Sequence, residues 1–568
     1  MTNYQFTGGT ICAPATIPGT GAISIIRVSG KESLAIADKV IDTKGVPIAE
    51  TEGYRLRYGT VFEADGSVLD NVIVSVFRAP HSYTGENSVE ISCHASRFIV
   101  NKILEFLVNA GARIAAPGEF TRRAFANGKM DLAQAEAVAD VIASQSAASH
   151  RVAMNQLKGG FSSELKVLRE KLLTMTSLLE LELDFSEEDV EFASRKELGQ
   201  LVDDSLIHIG RLTSSFSRGN AIKNGVPVAI VGATNTGKST LLNALLGEER
   251  AIVSDIAGTT RDTIEETLNI DGILFRFIDT AGIRETDETI EKIGIDRTFK
   301  KLGEAAVVLG MTDLSRGEAA VLEDADFILS KVNEMGGVKN VAAVNDGAET
   351  DGAHPAETGG APRAGTDGTS LAETGGTSLV ETDGTPLSET GGASRHGHGD
   401  GQERKVVILV NKCDVAGDFY RDDNGTGYCS GNELGKNLAE IGGNKNVNHN
   451  NNIVSLIENK YDNCKVIPIS AKTGKGLSTL TKRLGEIGSE ITGSTDETLV
   501  TNVRHYEALV RAASALERVR AGLHIATLPP DLIAQDLREA LYHLGEIVGE
   551  ITTDETLGNI FRNFCIGK

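Results

Sequence analysis

Short apolar runs bounded by turn residues open the chain. Ala22–Val28 (AISIIRV) and Val72–Phe77 (VIVSVF) are rich in β-branched residues and separated by Gly- and Pro-containing turns, so the first ~120 residues read as a mixed α/β unit. From near Asp131 to about Arg218 the apolar positions recur at helical spacing, with interruptions at Gly159–Gly160 and near Ser186. Within that stretch LLTMTSLLELELDF is helical in period, although short windows of it would suit a strand. At Val226 the pattern changes. VPVAIVG is a buried-strand run, and strands alternate with helices from there to about residue 490. From Asn502 to Lys568 amphipathic helix returns, in ALVRAASALERVRAGL and LIAQDLREALYHLGEIVGEI. Helix, α/β unit and helix again predict one helical domain interrupted by a guest domain, an insertion tolerated where the guest's two ends lie close together.

Two segments stand outside this pattern. Ala348–Arg395 is six consecutive octads, from AETDGAHP to SETGGASR, rich in Gly, Thr and Glu and almost devoid of large apolar side chains. Such a composition cannot repay the entropy of ordering, which predicts a disordered insertion; a small solenoid is the alternative, since a fixed period also marks stacked repeats. GGNKNVNHNNN, around Asn444–Asn452, reads as a second exposed loop.

Hydrophobic content of 40% in 568 residues supplies enough apolar surface for several cores and excludes a wholly disordered or fibrous chain. No apolar run approaches the ~20 residues that cross a bilayer, and MTNYQFTGGT is unlike a secretion signal, so the expected address is cytoplasmic, with no membrane. Cys12, Cys93, Cys413, Cys429, Cys464 and Cys565 are scattered without a CxxC pair and read as free thiols. A net charge of −23 makes the chain a poor stand-alone nucleic-acid binder, so any RNA must meet a local basic patch or be held by a partner.

Chemistry enters at Gly232–Thr240. GATNTGKST follows the strand VPVAIV and precedes the helical LLNALLG, the strand–loop–helix setting of a phosphate-binding loop. Its glycines let backbone N–H groups turn towards phosphate oxygens, Lys238 brings a positive charge to the β- and γ-phosphates, and the Ser239 hydroxyl is a ligand for Mg²⁺. Asp279-Thr280-Ala281-Gly282 ends the strand ILFRFID; Asp279 can hold the metal through water and the Gly282 N–H can sense a γ-phosphate. Asn411-Lys412-Cys413-Asp414 ends KVVILV, and the Asp414 carboxylate can accept from the N1–H and 2-amino group of guanine. Adenine lacks that pair of donors, and leaving buried polar groups unpaired enforces the discrimination. Ser470-Ala471-Lys472, after VIPI, completes the guanine pocket.

Ile283, after the DTAG motif, cannot orient an attacking water, and no arginine finger is identifiable. Hydrolysis must therefore draw on Asn235, whose amide oxygen can bind a monovalent cation, or on a carboxylate of IRETDETIEKIG. Gly310–Asp313 (GMTD) is more polar than a typical buried strand end.

The Asn-containing loop, SDIAGTTRD (Ser254–Asp262), DTAGIRETDETIEKIGI and the terminal FCIGK (Phe564–Lys568) together resemble the MnmE (TrmE) family of tRNA uridine 5-carboxymethylaminomethyl modification GTPases. TICAPATIPGTGAISIIRVSG and PGEFTRRAFANGKMDLAQAEAVADVI are similar to that family too, so the resemblance spans the chain except for the octads and the loop around residues 416–460. It implies an N-terminal α+β folate-binding and dimerisation domain (1–120), a discontinuous helical domain (121–220 and 491–568) and an inserted Ras-like P-loop GTPase domain (221–490). GTP would be held by Asn235, Thr236, Gly237, Lys238, Ser239 and Thr240, by Ser254, Asp255, Ile256, Ala257, Gly258, Thr259 and Thr260, by Asp279, Thr280, Ala281 and Gly282, and by Asn411, Lys412, Asp414, Ser470, Ala471 and Lys472.

By the same resemblance, Ser239 and Thr260 would bind Mg²⁺, while Asn235, Ser254, Ile256 and Thr259 would hold K⁺ where other GTPases use an arginine finger. Glu291 would orient water, with Lys238 as the other catalytic residue; read alone, Glu291 is a solvated carboxylate at a helix start. Arg27, Glu90 and Lys129, with the terminal Lys568, would contact 5-formyltetrahydrofolate or methylenetetrahydrofolate, cations meeting its glutamate carboxylates and a carboxylate meeting the pterin N–H groups. Cys565 is open between nucleophile, redox thiol and packing residue.

The implied activity is K⁺-activated GTP hydrolysis by a homodimer. With the FAD-dependent protein MnmG (GidA), in a heterotetramer or larger complex, it would modify carbon 5 of the wobble uridine of certain tRNAs. A ribosome-assembly GTPase switch is the competing class, which would need a basic RNA-binding appendage that is not apparent. A nucleotide-binding scaffold is a third, requiring Glu291 and Asn235 to be dispensable.

Overall fold

The computed structural model describes residues 8–184, 194–249, 266–278, 305–334, 404–414, 419–421, 427–429, 453–461, 464–493, 497–524, 529–562, 564 and 567. The octads, residues 444–452 and the break expected near Ser186 lie outside them.

The first sheet contains β1 (Ile11–Pro14), β2 (Ile23–Ser29), β3 (Arg55–Phe62), β4 (Val68–Phe77), β5 (Ser88–His94) and β6 (Arg113–Ile114), in the order β3-β4-β5-β2-β1-β6. Strand alternation sends Val72, Val74 and Val76 to one face, where Ile36 of α1 (Ser33–Val40) and Ile103 and Leu107 of α2 (Arg97–Asn109) cover them. The opposite face keeps Leu56, Tyr58 and Ile73 exposed, Tyr58 directly across from Ile73. Helix α3 (Glu119–Ala126) follows.

Helix α4 (Leu132–Ala143) begins where the periodicity predicts, because Asp131 and Gln134 form a capping box: Gln134 N–H donates to the Asp131 carboxylate at 2.8 Å and Asp131 N–H to Gln134 Oε1 at 3.0 Å. α5 (Ala147–Leu157), α6 (Gly160–Asp184), α7 (Arg195–Ser214) and α8 (Phe216–Asn224) continue the segment. The stretch whose short windows suited a strand is helical as far as Asp184, since Leu172 and Leu179 of α6 pack into a core built mainly from helices.

The second sheet is doubly wound. β7 (Val226–Gly232) leads into α9 (Lys238–Glu249), then β8 (Glu266–Ile270), β9 (Ile273–Ile278), β10 (Val307–Asp313), α10 (Glu318–Glu334), β11 (Lys405–Asn411), the hairpin β12 (Phe419–Arg421) and β13 (Gly427–Cys429), α11 (Ile453–Lys460), β14 (Cys464–Pro468) and α12 (Leu477–Thr492). Its order is β14-β11-β10-β7-β9-β8, parallel except for the β8–β9 pair. Both faces are apolar: Val228 and Ile230 pack with α9 and α12, Ala229 and Val231 with α10 and α11. Burial on both sides explains the near-continuous hydrophobic runs VPVAIV and KVVILV.

The chain then returns to helix, in α13 (Val503–Leu523), α14 (Pro530–Val548) and α15 (Asp554–Arg562). Leu165 and Leu172 of α6, Val202 of α7, Leu516 of α13 and Leu537 and Leu544 of α14 share one core, so helices on either side of the α/β unit close on each other. At Gly219 in α8, which feeds β7, a Cβ would collide with Val500 O, just before α13. The outgoing segment therefore lies against the incoming helix, and buried Gln156 fastens it by donating to Leu499 O and Thr501 Oγ1, both at 3.1 Å.

Candidate functional site

The phosphate-binding loop sits at the C-terminal edge of the parallel strands, between β7 and the start of α9. In such sheets the strand ends and helix N-termini converge there, and the helix contributes a positive partial charge. The loop turns through left-handed conformations at Asn235 (φ 61°) and Gly237 (φ 98°). Gly237 is needed on two counts, its φ and the collision a Cβ would make with Asn411 Nδ2. Lys238 folds back on the loop, its Nζ donating to Gly232 O at 2.9 Å and Ala233 O at 2.7 Å, and burial pulls its ammonium below its ordinary pKa. Thr236 is fully buried, with its hydroxyl on Ala233 O at 2.9 Å. Ser239 is half-buried in the first turn of α9; Asn235 and Thr240 are exposed at the rim.

Asn411 ties three motifs together. Its Nδ2 donates to Thr236 O at 2.6 Å, and its Oδ1 accepts from Ala471 N–H at 3.0 Å. One nearly buried amide thus joins the phosphate loop, NKCD and SAK. Cys413 N–H donates to Ile469 O at 3.2 Å, while Ser470 is buried and its hydroxyl accepts from Thr473 N–H at 3.2 Å. These bonds hold the backbone under the exposed side chains of Asp414 and Lys472. Lys412 reaches Asp313, the carboxylate at the polar strand end, with Nζ 2.6 Å from Oδ2. Sequence reading singled out that acidic position only as a departure and assigned it no role.

The second predicted site differs. Arg27 and Glu90 face each other across β2 and β5, and Arg27 Nε and Nη2 donate to Glu90 Oε1 at 3.0 and 2.8 Å. The cation and carboxylate expected to meet different parts of one ligand are thus joined to each other. The guanidinium also lies 5.1 Å from the Tyr83 ring centroid and donates to Gly567 O at 3.4 Å, bringing the chain's end to this sheet. Lys129 is exposed, with Nζ on Pro80 O at 3.1 Å. Cys12, Cys93, Cys413 and Cys464 are buried free thiols; burial pushes Cys12 and Cys93 up to about 11 and Cys464 up to about 12.

Ser254, Asp255, Ile256, Ala257, Gly258, Thr259, Thr260, Asp279, Thr280, Ala281, Gly282, Glu291, Cys565 and Lys568 lie outside the described residues. Among the described residues no helix is long and apolar enough to cross a membrane, and no cluster of three or more His, Cys, Asp or Glu suits a metal.

Two family models match in succession: the TrmE N-terminus, described as that of a GTP-binding protein, over residues 10–129, and the MnmE helical domain over residues 132–565. A protein named tRNA modification GTPase MnmE from Parabacteroides distasonis is 44% identical over 98% of this chain and 100% of its own length. Its namesake from Porphyromonas gingivalis is 41% identical over 100% of this chain and 99% of its own. The FeoB G domain of Methanococcus jannaschii, at 18% identity over 46% of this chain and 98% of its own, has a TM-score of 0.22, too low to carry an argument. Matches that run from the first sheet through the tail, at identities above 40%, leave one assignment: the chain belongs to the MnmE (TrmE) family.

Proposed function

We propose that the chain is a GTP hydrolase acting in tRNA modification, and that its turnover depends on K⁺. The observation that carries the reading is the Asn411 bridge, because it draws a phosphate loop and two guanine-type motifs into one pocket at a strand-end edge. Backbone N–H groups of the loop and the α9 N-terminus receive the phosphates, and Lys238 leaves the loop carbonyls for the β- and γ-oxygens. Asp414 accepts from guanine, with Ser470, Ala471 and Lys472 lining the same side. Mg²⁺ held by Ser239 and Thr260 would neutralise charge developing on the transferring phosphoryl group. The half-buried hydroxyl of Ser239 beside the loop fits that ion.

K⁺ held by Asn235, Ser254, Ile256 and Thr259 would supply the positive charge that an arginine finger gives elsewhere. Asn235 fits, being held left-handed on the exposed rim, where a second copy can reach it. Glu291 would orient the water. The exposed Leu56, Tyr58 and Ile73 on the first sheet's outer face support a homodimer through the N-terminal domain. Arg27, Glu90, Lys129 and Lys568 would receive a formyl- or methylenetetrahydrofolate, whose glutamate carboxylate competes with Glu90 for Arg27. The acidic charge supports a division of labour in which the flavoprotein MnmG provides much of the RNA surface, in the cytoplasm.

The deciding test compares GTP turnover in K⁺ and Na⁺ for the parent and Asn235→Ala. Stimulation by K⁺ that disappears in the variant, with GDP binding kept, is the expected result; equal rates in both salts defeat the K⁺ assignment. Wobble uridines from cells lacking the gene should lack the carbon-5 substituent by mass, and unchanged masses would refute the tRNA role.

A further inference from the structure

Asp313 is the last residue of β10, directly opposite Asn411 at the end of β11. Its side chain is 7% exposed, and both of its oxygens are engaged. Oδ2 accepts from Lys412 Nζ at 2.6 Å; Oδ1 accepts from Ser315 N–H at 3.0 Å and Ser315 Oγ–H at 2.6 Å. Burial alone would raise the carboxyl, but Lys412 and Ser315 more than offset it and hold it below the usual carboxylate range. Lys412, for its part, has a left-handed backbone (φ 64°), sparsely populated for a residue with a Cβ, between the buried Asn411 and Cys413. A lysine in that position has a flexible four-carbon stem and would sample many rotamers if its ammonium were unanchored.

We propose that Asp313 is a positioning residue of the nucleotide pocket: by clamping the Lys412 ammonium it fixes the lysine stem as a wall of the base site, between the Asn411 bridge and Asp414, and so slows nucleotide release. The carboxylate acts through Lys412 and touches no reacting atom. This inference rests on the guanine-pocket reading above. It also accounts for the polar end of the GMTD strand, where a buried acid would otherwise be a net cost. Serine at position 315 turns the carboxylate so that one oxygen is left for the lysine.

The test is release of a fluorescent GDP analogue from the full-length chain, measured for the parent, Asp313→Asn, Lys412→Ala and the double variant, with circular dichroism for each. Asp313→Asn keeps the shape and removes the charge, and release should accelerate about tenfold, as expected for loss of a charge-assisted bond. Because the effect passes through Lys412, the double variant should release no faster than Lys412→Ala alone. Additive effects, or Asp313→Asn within twofold of the parent, would overturn the proposal while leaving the guanine site intact. If the parent fails to prefer GDP over ADP, the pocket reading falls and the proposal falls with it. Should Asp313→Asn fail to fold, Ser315→Ala carries the test: release two- to threefold faster than the parent supports the clamp, and an unchanged rate overturns it.

Discussion

The nucleotide loop and the seam where the chain's two ends meet are held by opposite means. Between Gly232 and Thr240 a contiguous stretch makes its own geometry, from a strand end, two left-handed residues and a helix start, and functional atoms of the backbone line it. The seam has no such stretch. Arg27 pairs with Glu90, 63 positions on, and reaches Gly567, 540 positions on. Glu136 of α4 meets Arg504 and His505 of α13, with Arg504 Nη2 and His505 Nε2 at 2.9 and 2.6 Å from Glu136 Oε2, and Arg504 also donates to Glu546 O at 2.7 Å. Phe561 of α15 packs on Leu132 and Ala135 of α4.

The largest effect should come from breaking the seam. Glu136→Gln leaves Arg504 and His505 without their buried carboxylate and should destabilise the helical core by about 3–5 kcal/mol. Differential scanning calorimetry reads this as a lowered transition. Burial would raise the Glu136 carboxyl, but His505 and Arg504 bring it down to about 2. A depressed folded-state pKa stabilises above the ordinary carboxylate range, and that contribution is lost as pH falls towards about 2. The parent and Glu136→Gln should therefore converge between pH 4 and pH 2, on the order of two units set by those pKa values; a constant difference across that window would rule out the charge as its source.

Breaking the loop should act on chemistry and spare folding. Lys238→Ala is expected to cut GTP turnover by about 10²–10³-fold, the scale of losing one preorganised charge on a transferring group. The helical transition should stay where the parent has it, and a matching fall in that transition would mean that the loop also supports the helical core. Arg27→Ala sits between the two. If the proposed folate site holds, it should weaken binding of 5-formyltetrahydrofolate by about tenfold in a calorimetric titration, by loss of a charge-assisted contact, with GDP affinity within twofold of the parent. Smallest of all is Arg518→Ala, which removes half-exposed pairs to Asp536 and Glu539 across α13 and α14. Exposed ion pairs contribute little, so the helical transition should fall by less than about 1 kcal/mol. A larger loss would mean that the α13–α14 surface stiffens the seam.

What could be read from sequence followed the range of the interaction. Two-sided burial makes VPVAIV and KVVILV continuous apolar runs, a capping box marks the start of α4 at Asp131, and the loop's glycines and lysine sit within nine positions. Ile23–Ser29 and Val68–Phe77 fall close to the strands expected at 22–28 and 72–77, the second extended at its start because Asp70, a polar residue, is buried on the core face. Local sequence determines such features because backbone conformation and strand or helix period are set by neighbours along the chain. Only the tertiary structure decided that Asn411 would bridge two other motifs, that Asp313 would hold Lys412, and that Arg27 would find Glu90 before any ligand. Those pairings depend on strand order and register, and nothing in a residue's immediate surroundings encodes a partner 60 to 175 positions away.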